Sequence, residues 1–324
     1  MKDKKVVRDS LVLLAVGVIA VTLPTLLIKA GVVDAYTAGI FTLAGVNAIM
    51  AVSVNMIVGI TGQLSLGQAG FMAIGAYSCI FFSLDLHVPP PIAAVCAALV
   101  TALCAFIIGF PTLKLTGDYL AIVTLGFGEI IRVIFINLRT ITGGANGRRF
   151  TTVMSLFQDL SFFVTTAVLV VVIAALQNFL RSSYGRAILA CREDEIAADS
   201  SGIDIFRYKM LGFVIAGAVA GIGGALYVSV VGFIKPDAAS FNHSIEYLIF
   251  VVLGGMGSMT GAILAAYVLT FLQEILRFLQ DYRLLIYPLV LIFVMIFRPQ
   301  GLLGRNEFSF IKTWERVCRK KTSS

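Results

Sequence analysis

Charge is scarce in this chain: Asp, Glu, Lys and Arg make up 13% of 324 residues, while 59% are hydrophobic. An average soluble domain carries ~25% charged residues, so this composition cannot cover a water-facing surface and belongs in a lipid bilayer. Histidine is nearly missing; His87 and His243 fall in expected outer loops without metal-ligand or triad spacing. The five cysteines show no paired spacing, so neither a disulfide framework nor a metal site follows. No Gly-x-x-x-x-Gly-Lys-Ser/Thr stretch occurs, so nucleotide hydrolysis has to come from another chain. A membrane-embedded enzyme needs a catalytic constellation that the apolar runs do not contain. The net charge of +7 sits at the chain ends and between apolar runs, which fits orientation in a membrane rather than nucleic-acid binding.

Residues 35–84 contain no Asp, Glu, Lys, Arg or His, yet are full of Gly, Gln, Ser and Asn. At ~1.5 Å per residue, a helix crosses a ~30 Å hydrocarbon core in ~20 residues, so this tract holds two crossings and a connector. The connector is Gly59-Ile-Thr-Gly-Gln-Leu-Ser-Leu-Gly-Gln-Ala-Gly70, poor as helix interior. Irregular backbone at membrane depth survives only where protein or a water-filled cavity supplies hydrogen bonds. Two readings stay open: a tight turn whose glycines permit close helix packing, or a path for something small and polar. On the second, Asn55, Gln63, Ser65 and Gln68 are path candidates, because amides and hydroxyls replace water without holding a charge too tightly.

The same arithmetic predicts an all-α protein of ten transmembrane helices, at residues 11–28, 35–58, 64–84, 92–113, 119–137, 160–180, 210–234, 245–253, 259–276 and 284–297. The chain then divides into a basic N-terminus (1–10), a membrane domain (11–297) and a basic tail (298–324). The first run has no small-residue cleavage site and reads as a retained helix rather than a signal peptide. The eighth is short, and Leu253-Gly-Gly-Met-Gly-Ser258 could be a turn between spans or a kink within one. Ten spans place seventeen of the 25 Lys and Arg residues on the side of the termini, whereas nine erase the asymmetry; the positive-inside rule therefore puts both ends in the cytoplasm.

Under that topology the breaks at 59–70 and 254–261 both approach from the cytoplasmic side. An offset of 190 residues matches Gly67 with Gly257, Ala76 with Ala266 and Tyr77 with Tyr267, a trace of two related halves. Residues 183–202 form a polar cytoplasmic insertion of helical pattern, with Ser182 or Ser183 as cap and Gly202 as left-handed terminator. It lies on the membrane surface or serves as a docking knob. Glu129 and Arg132, three apart in the fifth span, form a paired bridge or take part in the path.

Asn55-Met-Ile-Val-Gly-Ile-Thr-Gly-Gln-Leu-Ser-Leu-Gly-Gln-Ala-Gly-Phe-Met-Ala-Ile-Gly-Ala-Tyr77 resembles the signature of bacterial branched-chain amino acid ABC transporter permeases, of the LivM-like kind. Gly117-Asp-Tyr-Leu-Ala-Ile-Val-Thr-Leu-Gly-Phe-Gly-Glu129, Thr142-Gly-Gly-Ala-Asn-Gly147 and the stretch from Tyr184 through Gly202 agree in family order. The resemblance implies a bacterial inner-membrane subunit that supplies half of a translocation path. It implies a second, LivH-like permease, two cytoplasmic ATPase subunits and an external or periplasmic substrate-binding protein as partners. ATP and Mg are implied for the ATPase subunits, and no cofactor for this chain. Leu, Ile and Val are the usual cargo, while related permeases move urea, short amides or other amino acids. The cytoplasmic segment becomes a coupling helix, with Tyr184, Gly185, Arg186, Glu193, Asp194, Glu195, Ala197, Ala198 and Gly202 facing the ATPase. ABC importers carry Glu-Ala-Ala-x-x-x-Gly there; Ala197, Ala198 and Gly202 are in register, but Glu195 is one residue early, so its role does not transfer. A stand-alone channel or ion-coupled carrier would also use the broken helices, but does not require this segment.

Overall fold

The computed structural model of the chain describes residues 34–115, 117–150, 161–298, 301, 302 and 304. The expected first helix at 11–28, the basic N-terminus and most of the tail lie outside them. The described elements are α1 (Ala35–Val54), continued by a π-helical turn Asn55–Thr61, then α2 (Gln68–Ile80), α3 (Pro90–Thr112), α4 (Asp118–Asn137), α5 (Ser161–Arg181), α6 (Ser183–Glu193) and α7 (Glu195–Ser200). They continue with α8 (Ile205–Val231), α9 (Phe241–Gly254), α10 (Met259–Ile275) and α11 (Arg283–Phe297). Among the described residues six helices are long and apolar enough to cross a membrane: Tyr36–Thr61, Pro90–Thr112, Asp118–Asn137, Ser161–Arg181, Ile205–Val231 and Met259–Phe278.

Two expected spans differ from the observed elements. The run at 64–84 is helical only from Gln68, because Gly62, at φ +72°, ends the preceding helix and the chain then runs without regular structure to Gly67. The run at 245–253 is a 14-residue helix, α9, closed by Gly255 (φ +109°) and Gly257 (φ +92°) before Ser258 caps α10 by accepting from the Gly261 amide at 3.1 Å. Residues 255–258 therefore form a turn between two helices, not a kink in one. At ~1.5 Å per residue α9 reaches ~21 Å, short of a hydrocarbon core of ~30 Å. His243, expected in a loop, lies in the first turn of α9, its Nδ1 3.2 Å from Glu246.

The core is built around α1, α2 and α8. α1 is buried along most of its length, and Ile49, Met50, Met56, Ile57, Phe71 and Phe213 are fully enclosed. Phe71 of α2 meets Phe213 of α8 edge-on, with ring centroids 5.6 Å apart. In lipid there is little hydrophobic drive between helices, so small residues that let backbones approach carry the association. A Cβ on Gly75 would stand 2.5 Å from the Gly221 Cα, one on Gly217 would stand 2.5 Å from the Ala105 Cβ, and one on Gly224 would meet the Met72 carbonyl and stand 2.8 Å from the Ala76 nitrogen. By contrast, α3 and α4 expose Val95, Leu99, Leu103, Phe106, Ile122, Ile130 and Val133.

One end of the bundle is tied by a two-stranded antiparallel pair, β1 (Arg148–Arg149) with β2 (Phe233–Ile234), in the register Arg148 to Ile234. Arg148 also pairs with Asp85, whose carboxyl is held below the usual carboxylate range by that guanidinium. The opposite end carries the α6 and α7 pair. This packing has a direct consequence at Gly224. Gly224→Ala is expected to destabilise the protein by about 1–3 kcal/mol, since an added methyl has nowhere to go. Gly126→Ala, on α4 with nothing within 4 Å, should leave stability unchanged. Thermal unfolding in detergent distinguishes them, and equal stability of the two variants would refute the packing account.

Candidate functional site

The two glycine-rich breaks meet. Asn55, at the start of the π-helical turn, accepts a hydrogen bond through Oδ1 from the Gly257 amide at 2.9 Å. Gly59 makes this contact possible, since a Cβ there would strike Asn55 Oδ1 and lie 2.9 Å from the Gly257 Cα. The Gly255 turn is covered in its own turn by the residues after α11: the Leu302 amide donates to the Leu253 carbonyl at 2.7 Å. The offset pairing Gly67 with Gly257 and Tyr77 with Tyr267 corresponds to like places in the fold, since each glycine precedes a helix and each tyrosine lies within it.

From the first break a polar strip runs into the core. Asn55, Gln63, Ser65 and Gln68 are each at most 4% exposed. Among the described residues, Asn55 Nδ2, both amide atoms of Gln63, Ser65 Oγ and Gln68 Nε2 have no hydrogen-bond partner. Leaving a buried polar atom bare costs about 1–3 kcal/mol, so this strip is held at a cost unless water or a ligand completes it. The surrounding backbone is better served: the Leu66 amide donates to Thr124 Oγ1 at 3.1 Å and the Ala69 amide to Ser244 Oγ at 3.3 Å. Because α2 begins at Gln68, the strip lies at the positive end of a buried helix. Two apolar crevices, of about 360 Å³ between α3, α5 and α8 and about 530 Å³ between α2, α3 and α4, are lined by none of these four residues.

Glu129 and Arg132 are paired as expected, Arg132 Nε lying 2.8 Å from Glu129 Oε2. They are also drawn into a larger arrangement: Arg132 Nη1 is 3.1 Å from Asp237, and Glu129 Oε1 accepts from the Phe241 amide at 3.2 Å. Glu129 thereby caps the N-terminus of α9. The pair thus has a structural task that spacing alone did not show.

The polar insertion after α5 is two helices where one was expected. Asp194 is extended (φ −155°), ends α6, and caps α7 by accepting from the Ile196 and Ala197 amides at 2.9 and 3.1 Å. An aspartate offering its own backbone an N-cap breaks the helix that periodicity continues. Ser182 caps α6 through the Gly185 amide at 3.3 Å, and Gly202, at φ +79°, follows α7. Gly185 is needed for packing, as a Cβ there would stand 2.5 Å from the Leu180 carbonyl oxygen. Arg186 donates to the Arg181 carbonyl and to Ser183, and Glu195 pairs with Lys209 at the start of α8. Ala198 is buried, whereas Glu193, Asp194, Ala197 and Tyr184 face outward.

Two residues escaped the sequence reading. Ile196 is 80% exposed, an apolar side chain among acids, and that incongruity was its signal. Arg192 leaves the last turn of α6 and lies over both breaks, its Cγ 3.1 Å from the Cβ position of Gly62 and its Nη1 3.2 Å from that of Gly257. Nothing in its spacing could have disclosed this.

A family model described as branched-chain amino acid transport system, permease component, matches residues 36–295. The chain is 38% identical to the high-affinity branched-chain amino acid transport system permease protein LivM of Escherichia coli K12, over 93% of this chain and 76% of that protein. It is 35% identical to the permease protein LivH of the same organism over 41% of this chain and 44% of that one. A probable LivM of Methanocaldococcus jannaschii is 22% identical over 80% of this chain and 90% of that protein. No solved structure matches.

Proposed function

The chain belongs to the branched-chain amino acid transport permease family and is an integral membrane protein, and from that premise we propose that it forms half of the translocation path of an ATP-driven importer for Leu, Ile and Val. The observation that carries this reading is the set of buried polar side chains with unpartnered atoms, the amides Asn55, Gln63 and Gln68 and the hydroxyl of Ser65, near the junction of two broken helices. An amino acid crossing a bilayer must exchange water for protein donors and acceptors, since unpaired polar groups cost several kcal/mol. The buried N-terminus of α2 favours its carboxylate, and the neutral amides release it again.

In this mechanism a LivH-like permease supplies the other half, two cytoplasmic ATPases bind ATP and Mg beneath, and a periplasmic binding protein delivers the substrate. The α6 and α7 pair, with exposed Tyr184 and Ile196, is the docking surface for an ATPase. ATP binding and hydrolysis bias the assembly between inward-open and outward-open states, the ligand shifting a pre-existing equilibrium by its differential affinity. The chain makes ten crossings of the bacterial inner membrane with both termini in the cytoplasm. A reporter fused after Leu86 is accordingly expected to signal the outer side, and a cytoplasmic signal would refute this topology.

Purification in mild detergent tests the assembly. Two ATPase chains and a second permease are expected to accompany this one, with uptake of Leu, Ile or Val on reconstitution with binding protein. A lone chain active in transport would overturn the importer reading, and uptake restricted to urea or short amides would reassign the cargo.

The polar strip has its own test. Gln63→Leu and Ser65→Ala remove only atoms that lack partners, and Gln68→Leu also removes the Oε1 that accepts from Ser53 Oγ at 3.1 Å, a hydroxyl that keeps the Ala216 carbonyl at 2.7 Å; membrane abundance should therefore hold while initial uptake falls in at least one of them. Asn55→Leu should lower abundance too, because it strips the Gly257 amide of its acceptor at about 1–3 kcal/mol. Normal uptake in all three strip variants would reduce the break to a packing turn.

A further inference from the structure

We propose that Arg192 is the strut through which the cytoplasmic helix pair sets the position of both glycine-rich breaks, a positioning residue for transport. This rests on the importer reading above. The stem of Arg192 fills the space beside Gly62: its Cα, Cβ and Cγ are the three nearest atoms to a Cβ position there, at 3.9, 3.7 and 3.1 Å. Its guanidinium fills the space beside Gly257, with Nη1 and Nη2 at 3.2 and 3.8 Å from the equivalent point. One side chain thus leans on two segments almost 200 residues apart in sequence, both left-handed at the point of contact, with φ +72° and +92°.

The charge is placed with the same logic. Glu193, Asp194 and Glu195 follow Arg192 directly, yet among the described residues its guanidinium makes no ion pair or hydrogen bond. Asp194 is spent on capping α7 and Glu195 on Lys209, while Arg192 turns to the breaks. Both breaks are helix C-termini, the first at Gly62 and the second at Gly255, and carbonyls at such ends favour a cation. The guanidinium brings five donors in a rigid fork, so it can follow either end as it shifts.

The consequence is mechanical. α6 is anchored in the protein by buried Ile188 and Cys191, so a displacement of the α6 and α7 pair by an ATPase is carried to Gly62 and Gly257 by the Arg192 stem. Gln63, the first residue of the unpartnered strip, is the next residue after Gly62. Nucleotide state therefore reaches the strip through one side chain, without a continuous chain of moving helices.

The experiment compares the reconstituted full complex with Arg192→Ala, Arg192→Met and Arg192→Lys variants, reading amino acid transported per ATP hydrolysed. For Ala and Met the ratio is expected to fall roughly tenfold, within the ~5–150-fold range of inter-site coupling, with ATPase co-purification and thermal midpoint unchanged. Lys, which keeps a stem and a charge, should retain more of the ratio than Met. An unchanged ratio in Arg192→Ala overturns the proposal, as does loss of ATPase co-purification, which would make Arg192 a docking contact. Poor folding lowers uptake and hydrolysis together, leaves the ratio intact and so also counts against it; if the Ala variant does not accumulate, the Lys variant carries the test with a smaller fall. A wild-type complex that transports neither branched-chain amino acids nor urea or short amides defeats the importer reading instead, and the variants do not bear on that outcome.

Discussion

The hydrogen bond from the Gly257 amide to Asn55 Oδ1 joins the second glycine-rich break to the first and gives a half-buried backbone donor its partner. Everything near the site depends on it. The bond fixes the turn after α9 against the π-helical end of α1, which requires Gly59 to lack a side chain, and it leaves Asn55 Nδ2 buried and bare, as are atoms of Gln63, Ser65 and Gln68. The Asn55 carboxamide thus satisfies one half of its capacity structurally and withholds the other.

The short helix α9 shows how charge organises this protein where charge is rare. Its N-terminus receives Glu129 and its C-terminal turn lies under Arg192, each matching the sign of the helix dipole. Placed this way, the two residues engage the opposite ends of one short helix. Arg132 and Asp237 hold Glu129 in position, so the intramembrane ion pair is first of all a clamp on α9.

Glycine has two different uses in the bundle. At Gly75, Gly217, Gly221 and Gly224 it removes a side chain so that α8 can approach α2 and α3, the means of association available in lipid. At Gly62, Gly255 and Gly257 it supplies positive φ and ends helices inside the membrane domain. The first use makes a rigid centre and the second makes the places where that centre can change shape.

The sequence by itself determined that this is an all-helical membrane protein, where its glycine-rich stretches interrupt the apolar runs, that an amphipathic segment lies between α5 and α8, and to which family it belongs. Those features are local: apolar run length, glycine clusters and motif order are written along the chain. It also marked Gln63, Ser65 and Gln68 as odd, since polar groups in an uncharged tract stand out without any structure. Only the tertiary structure decided that the two breaks touch, that Asn55 bonds Gly257, that Glu129 caps α9 and that Arg192 covers both Gly62 and Gly257. It also split the polar segment after α5 at Asp194, where a capping bond outweighed helical periodicity. Each of these joins residues far apart in the chain or sets one local hydrogen bond against another, and periodicity carries no information about which distant backbone will arrive beside a given side chain.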